Sequence, residues 1–212
     1  MIHGIILAAG LSTRMGVPKL LMPLDGSPIL SHVLQAALDS SLDRVILVAG
    51  PGLMSSSYLR GLPRVSARLR VVTNPRPQEG MSSSLRVGMA AMDPNSQGVM
   101  VILADQPRLT HTLIDELKAV FLRDPSKIVA PAIHGRRTTP VIFPASLFDE
   151  LTAQRGDVGG RDVVTQNLHK VVEIEMGSYY DDADIDTPED LRRVENGISD
   201  RRRTGRPVGD EI

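Results

Sequence analysis

The chain has 212 residues, enough to bury one ordinary hydrophobic core, and we expect a single domain. Its formal net charge is −1 and only 3% of its residues are aromatic, which argues against a nucleic-acid-binding surface built on charge or base stacking. The absence of cysteine excludes disulfides, thiol nucleophiles and thiolate metal sites. No apolar run approaches the roughly 20 residues of a membrane helix, and the start of the chain lacks the pattern of a signal peptide. These features predict a cytoplasmic protein that binds neither nucleic acid nor membrane.

Short apolar runs, typical of buried strands, alternate along the chain with segments of helical periodicity. The strands are predicted at residues 2–6, 44–49, 69–73, 98–103, 127–132 and 170–174. The helices are predicted at residues 28–38, 82–92, 110–122 and 145–151, with a weaker pattern over 51–68. This alternation favours parallel βαβ units in a doubly wound α/β sheet. Residues 134–143 interrupt it and predict a small hairpin-like excursion, whose second arm follows Pro140.

The stretch from Leu7 to Lys19 carries the first chemical signal. It follows a predicted buried strand and contains small residues that leave backbone N–H groups open to an anion, among them Ala8, Ala9 and Gly10. The cations Arg14 and Lys19 are suited to phosphate oxygens. A plain strand-to-helix connection with solvent-facing cations is the alternative. Neither G-x-x-x-x-G-K-[ST] nor G-x-G-x-x-G occurs, which argues against P-loop and dinucleotide-binding proteins.

Two later segments place polar groups beside predicted strand or helix ends. Asp105 follows the strand at 98–103, and open α/β sheets bind their ligands at the carboxyl ends of strands. A carboxylate beside a triphosphate is a hard ligand for Mg²⁺, although a turn or cap would also explain this residue. Ser82 and Ser83 open the helix predicted at 82–92, where hydroxyls and free N–H groups suit a base, a ribose or a phosphate. Simple serine caps are the alternative for this pair.

The pattern L-A-A-G-x-S-x-R-M-G-x-x-K at residues 7–19 resembles the N-terminal signature of the MobA-like nucleotidyltransferases, most closely the molybdenum cofactor cytidylyltransferases. Later segments are similar to family elements as well: E-G-M-S-S-S-L at 79–85, A-D-Q-P at 104–107, G-D-V-G-G-R at 156–161 and D-I-D-T-P-E-D-L at 184–191. The resemblance implies a three-layer Rossmann-like nucleotidyltransferase fold with a mostly parallel sheet over residues 1–195. Residues 196–212 are polar and charged, and we expect a disordered tail there.

The same resemblance implies a role for each of these segments. The implied nucleotide-binding residues are Leu7, Ala8, Ala9, Gly10, Ser82 and Ser83; the catalytic residues are Arg14, Lys19 and Asp105; the Mg²⁺ ligands are Asp105 and Asp186; and Gly159 and Arg161 border the acceptor. Arg136 and Arg137 lie in the segment that receives the acceptor in relatives and are suited to its phosphate, with exposed turn arginines as the alternative. Relatives that transfer a guanylyl group usually read Leu-Ala-Gly-Gly at the start. Ala9 therefore favours CTP as the nucleotide.

The implied activity is transfer of CMP from CTP to the phosphate of the molybdenum cofactor, with release of pyrophosphate and with a recipient molybdoenzyme as a further partner. Relatives carry a glycine and usually a histidine where this chain has Thr138 and Thr139, so the acceptor stays open. One alternative is a cytidylyltransferase for another small phosphorylated acceptor, such as methylerythritol phosphate. A second alternative is a non-catalytic carrier of the finished molybdenum cofactor.

Overall fold

The computed structural model describes residues 1–10, 19–62, 67–177, 180–185, 187 and 189–194. Three predictions therefore fall outside the described residues: Arg14 as a catalytic cation, Asp186 as a metal ligand, and a disordered tail at 196–212. Among the helices that are described, none is long and apolar enough to cross a membrane.

The described strands are, in chain order, β1 (Ile2–Ala8), β2 (Pro23–Leu24), β3 (Ser27–Pro28), β4 (Arg44–Ala49), β5 (Leu69–Thr73), β6 (Gly98–Leu103), β7 (Ile128–Ile133), β8 (Arg136–Arg137), β9 (Val141–Pro144) and β10 (Val171–Glu175). The α-helices are α1 (Ile29–Asp39), α2 (Pro51–Met54), α3 (Ser57–Gly61), α4 (Met81–Ala90), α5 (His111–Arg123), α6 (Phe148–Ala153) and α7 (Arg161–Gln166). Residues 189–194 are also helical.

One large sheet organises the described part of the chain, with the strand order β10-β7-β9-β6-β1-β4-β5 and with β8 paired to β7. β1 lies between β4 and β6 and is parallel to both. β9 runs antiparallel to β6 and β7, and β8 is antiparallel to β7. The predicted fold, a mostly parallel sheet with a small antiparallel excursion, is confirmed. β9 is an interior strand, so the excursion inserts into the sheet instead of lying at its edge.

Apolar side chains on both faces of the sheet hold the helices in place. On one face Ile6 belongs to a buried cluster with Val33 of α1 and Leu117 of α5. On the other face Ile5 belongs to a cluster with Leu85 of α4 and with residues of α6 and α7. A strand covered on both sides needs apolar residues at successive positions, which explains the continuous hydrophobic runs in the sequence.

Local boundaries differ from the sequence-based predictions at several points. The helix expected from Pro28 begins at Ile29, because Ser27–Pro28 pairs with Pro23–Leu24 in a two-stranded ribbon. The weak helical pattern over 51–68 corresponds to two short helices, α2 and α3. Helix α4 begins at Met81, one residue before the serines that were predicted to open it, so these serines lie within its first turn.

Candidate active site

The loop that follows β1 and the loop that follows β6 emerge side by side at the carboxyl edge of the sheet. Leu7 is opposite Leu103 in the pairing of β1 with β6, and the Ala104 N–H donates to the Leu7 carbonyl at 3.3 Å. Ala8 and Ala9 are buried, whereas Gly10 is exposed. Strand pairing alone therefore brings the predicted nucleotide loop next to Asp105.

Lys19 and Asp105 form an ion pair at this edge. The Lys19 Nζ lies 2.7 Å from the Asp105 Oδ2, and the two side chains are only 14% and 24% exposed. Such partial burial strengthens the attraction between the charges relative to bulk water. Lys19 begins a short 3₁₀ turn whose Leu20 is buried in the core, which anchors the lysine. The structure thus brings together two of the three predicted catalytic residues.

The serines at the start of α4 are buried and bonded within the protein. Ser82 is 0% exposed and Ser83 is 4% exposed. The Ser83 hydroxyl donates to the Gly80 carbonyl at 2.8 Å and accepts from the Asn74 amide at the same distance. The Ser82 N–H donates to the Gly156 carbonyl. The expectation of free N–H groups at this helix terminus is wrong, because the loop after α6 already uses them.

The segment 180–185 lies against the loop after β6. The Ile185 N–H donates to the Asp105 carbonyl at 3.2 Å, and the Gln106 amide donates to the Asp182 carbonyl at 3.3 Å. Arg108 adds an ion pair to Asp181 at 2.5 Å. These contacts bring the chain to the position just before Asp186, which lies outside the described residues.

A cavity of about 390 Å³ opens beside Gln106, the residue that follows Asp105. Its floor is apolar and comes from β6 and β9, with Val101 and Phe143 as examples. Its polar rim includes Arg136, Arg137 and Arg161. The volume lies within the range of small-molecule sites, which typically combine apolar walls with a few polar groups. Three of the four residues predicted to bind the acceptor therefore line one cavity.

The rim arginines differ in their bonding. Arg136 lies 3.0 Å from the Asp182 carboxylate, and the Arg137 Nε donates to Glu173 at 2.7 Å. Arg161 is exposed and forms no ion pair within the part of the chain that the structure describes. The fourth predicted residue, Gly159, is not part of the lining, but a Cβ there would lie 2.7 Å from the Met81 sulfur. Its φ of +54° also favours glycine.

A buried hydrogen-bond network around Gln106 was not predicted from the sequence. The Thr139 hydroxyl donates to the Gln106 Oε1 at 2.7 Å, and the Thr138 hydroxyl donates to the Asp182 carboxylate. Burial alone would raise the pKa of Asp182, but the hydrogen bonds from Arg136 and Thr138 outweigh it and lower that pKa. The position of Gln106 directly after Asp105 in the A-D-Q-P element was the available signal.

Asp105 places a carboxylate at this edge of the sheet, and carboxylate oxygens are hard ligands of the kind that Mg²⁺ prefers. The residues that the structure describes contain no cluster of three or more His, Cys, Asp or Glu side chains suited to a metal ion. A metal ion held by Asp105 would therefore need further oxygen ligands from elsewhere.

The chain matches the family model described as "MobA-like NTP transferase domain" over residues 4–171. The chain belongs to this family. The match covers the sheet from β1 to the start of β10, and with it both loops that meet at the Lys19–Asp105 pair. The resemblance in the sequence and the fold it implied are thereby confirmed.

Relatives within the MobA-like family carry several names. The chain is 30% identical to the purine catabolism protein PucB of Bacillus subtilis, over 92% of this chain and 97% of PucB. It is 26% identical to the molybdenum cofactor cytidylyltransferase of Escherichia coli (88% and 92% of the two chains). It is 30% identical to the molybdenum cofactor guanylyltransferase of Cupriavidus metallidurans (92% and 95%).

Among solved structures, this MobA-like chain is similar to Rv0371c of Mycobacterium tuberculosis in complex with manganese. The TM-score is 0.74 at 27% identity, with 92% of this chain and 97% of the other chain covered. The likeness extends over nearly the whole length of both proteins.

Proposed function

We propose that this member of the MobA-like family transfers CMP from CTP to the phosphate of the molybdenum cofactor and releases pyrophosphate. The Lys19–Asp105 pair carries the proposal, because it sets a cation and a carboxylate 2.7 Å apart at the strand edge. A cavity rimmed by arginines opens beside Gln106, the residue that follows Asp105. Nucleotidyl transfer needs this kind of site, since it depends on alignment of phosphates and on stabilisation of their charge.

The triphosphate would lie along the loop after β1. Lys19 would offset the negative charge that develops on the leaving pyrophosphate, and Arg14 would add to this effect. The backbone of Leu7, Ala8, Ala9 and Gly10 would contact the base and the ribose. In our proposal Ser82 and Ser83 act indirectly, because both are buried and the Ser83 hydroxyl holds the loop that precedes α4.

Asp105 fits a divalent metal ion by its chemistry. Its Oδ2 accepts from Lys19, whereas no described residue donates to its Oδ1, which leaves a hard oxygen of the kind that Mg²⁺ prefers. The solved relative Rv0371c was determined as a complex with manganese, which supports a divalent ion in this family. When bound, Mg²⁺ would supply Lewis acidity toward the phosphates.

Asp186 is the second metal ligand in this proposal. Its neighbour Ile185 donates an N–H to the Asp105 carbonyl at 3.2 Å. Consecutive Cα atoms are about 3.8 Å apart, so this contact supports a site shared by the two carboxylates. The phosphate oxygens of the substrates would complete the coordination.

The acceptor would occupy the cavity between β6, β9 and α7. Its apolar floor suits a flat ring system, and its arginine rim suits a phosphate. Arg161 is the strongest candidate for the phosphate, because Arg136 and Arg137 already pair with Asp182 and Glu173. Gly159 would keep the neighbouring loop close to Met81.

CTP is the proposed nucleotide because Ala9 occupies a position at which guanylyl-transferring relatives usually have glycine. Relatives with either base in their names are similar to this chain. The rate with CTP relative to the rate with GTP is therefore the first quantity to measure.

The decisive experiment is an assay of pyrophosphate release with Mg²⁺, each of the four nucleotides and molybdenum cofactor as acceptor. We expect release to be fastest with CTP and to fall in Asp105→Asn. Asp149→Asn serves as the matched control, because Asp149 is an exposed acid on α6. A preference for GTP would contradict the base assignment.

Two further arms of this assay test the alternatives. Rapid turnover with methylerythritol phosphate in place of the molybdenum cofactor would contradict the proposed acceptor. Tight binding of the finished dinucleotide cofactor without pyrophosphate release under any condition would contradict the enzymatic proposal and support a carrier.

A further inference from the structure

A second cavity lies at the amino ends of β1, β4 and β5, at the edge of the sheet opposite the Lys19–Asp105 pair. It measures about 330 Å³, and its lining includes His3, Arg44, Arg68 and Arg70. We call it the amino-edge cavity. The seven residues of β1 span about 23 Å at 3.3 Å each, so one small ligand cannot occupy both edges.

The amino-edge cavity is strongly basic. Arg68 is held by the carbonyls of Leu38 and Ser40, at 2.5 and 2.6 Å. Arg70 donates to the Ala91 carbonyl at 2.7 Å. The Arg44 side chain forms no hydrogen bond or ion pair with the described residues. The described lining contains no carboxylate, so the positive charge favours an anion.

The protonation of His3 follows from its partners. The Ser96 hydroxyl lies 2.5 Å from the Asp93 carbonyl, which can only accept, so the single hydroxyl proton of Ser96 points there. The contact of 2.7 Å between the Ser96 oxygen and the His3 Nδ1 must then use a proton on Nδ1. The Nε2 of a neutral His3 is therefore an acceptor.

This acceptor has no donor among the described residues. The His3 Nε2 is buried and forms no hydrogen bond with them, and His3 as a whole is 1% exposed. Burial, and secondly the charge of Arg44, lower the pKa of His3, while Asp93 and Asp43 act in the opposite direction to a smaller extent. An unsatisfied buried acceptor in a native protein calls for an explanation, such as a ligand that supplies the missing proton.

We propose that the amino-edge cavity binds hydrogen phosphate, whose charged oxygens face the arginines while its hydroxyl donates to the His3 Nε2. A protonated oxyanion offers negative oxygens to the arginines and a hydroxyl donor to the His3 Nε2. Sulfate is fully deprotonated near neutral pH, and a phosphate monoester loses its last proton with a pKa of about 6. Either ion would leave Nε2 without a donor. This site is independent of the proposed transferase activity.

The test compares phosphate, sulfate and methyl phosphate at pH ~8 and constant ionic strength, with the melting temperature and the ¹⁵N resonances of His3 as readouts. We expect phosphate to bind at least about tenfold more tightly than the other two anions, in line with a hydrogen bond to a charged group. The Nε2 resonance of His3 should shift on addition of phosphate.

Variants separate this site from the active site. Arg44→Gln should weaken phosphate binding by about tenfold and leave pyrophosphate release unchanged. Arg123→Gln, an exposed arginine on α5, is the matched control, and Lys19→Gln tests the opposite edge. Both should keep the wild-type shift of the His3 Nε2 resonance on addition of phosphate. Equal affinity for sulfate, an unmoved His3 signal, or a response lost in Lys19→Gln but retained in Arg44→Gln would overturn the proposal.

Discussion

The Lys19 ammonium and the Asp105 carboxylate are in direct contact, although 86 positions separate them in the sequence. The contact exists because β6 pairs alongside β1, so that the loops following both strands leave the sheet at the same edge. Both charges are shielded from solvent on most of their surface. In the proposed reaction, Lys19 would exchange Asp105 for a phosphate and Asp105 would exchange Lys19 for a metal ion.

The first prediction concerns this ion pair. Asp105→Asn and Lys19→Met should each lower turnover by about a hundredfold or more, because Lys19→Met removes a cation that would offset the charge of the phosphates and Asp105→Asn removes the carboxylate that would hold the metal ion. The double variant should lose less than the product of the single effects, since the two residues interact directly. Steady-state kinetics with circular dichroism as a folding check measures both. Near-normal rates in both single variants would show that the Lys19–Asp105 pair is not part of the active site.

The second prediction concerns Arg161 at the rim of the cavity. Arg161→Gln should raise the KM for the acceptor by about tenfold, as expected for a lost hydrogen bond to a charged group, and leave the KM for CTP unchanged. Arg60→Gln is the control, because Arg60 is exposed on α3. A change confined to the KM for CTP would show that Arg161 contacts the nucleotide and not the acceptor.

The third prediction concerns the hydrogen bond from Thr139 to Gln106. Thr139→Val removes the hydroxyl at nearly constant volume and should raise the acceptor KM by up to about tenfold, given a net value near 0.5–1.5 kcal/mol for such a bond. Thr152→Val is a control on α6, where the hydroxyl contacts only a local carbonyl. Kinetics unchanged from wild type would show that this network does not position the acceptor site.

The fourth prediction concerns the turn before α4. Gly80 has a φ of +89°, and a Cβ there would lie 2.4 Å from the Gly156 backbone. Gly80→Ala should therefore lower the free energy of unfolding by roughly 1–3 kcal/mol. A Cβ on Gly52 meets no described atom within 4 Å, so Gly52→Ala should retain wild-type stability. Urea denaturation measures both, and equal stability of the two variants would contradict the backbone argument.

The fifth prediction concerns pH. The pKa of His3 lies below its ordinary value of 6.5 because the side chain is buried. The unfolded chain then binds a proton before the folded protein does, so stability should decline as the pH falls from 6.5 through the lower folded pKa. His3→Gln should lack this decline. Denaturation curves across this interval test it, and a parallel decline in the variant would assign the effect to another group.

The sequence predicted the strands of the parallel sheet well, because a strand covered on both faces must be apolar along its length. It also predicted the Rossmann-like fold class and the family, because the motif that carries the resemblance directly follows β1 and is therefore visible as one continuous stretch of sequence. The predictions were weakest for α2, α3 and the start of α1, where short segments carry too few residues for a clear periodicity.

Some features of the candidate site were likewise evident from the sequence, and others depended on the tertiary structure. The residue types at Lys19 and Asp105 were evident from the sequence, because cations, small residues and a carboxylate after buried strands are a local pattern. Only the tertiary structure decided that Ser82 and Ser83 are buried, that Arg136 and Arg137 are paired with acids, and that Gln106 links three segments. These facts depend on contacts between residues tens of positions apart, which sheet topology creates and which no local pattern encodes.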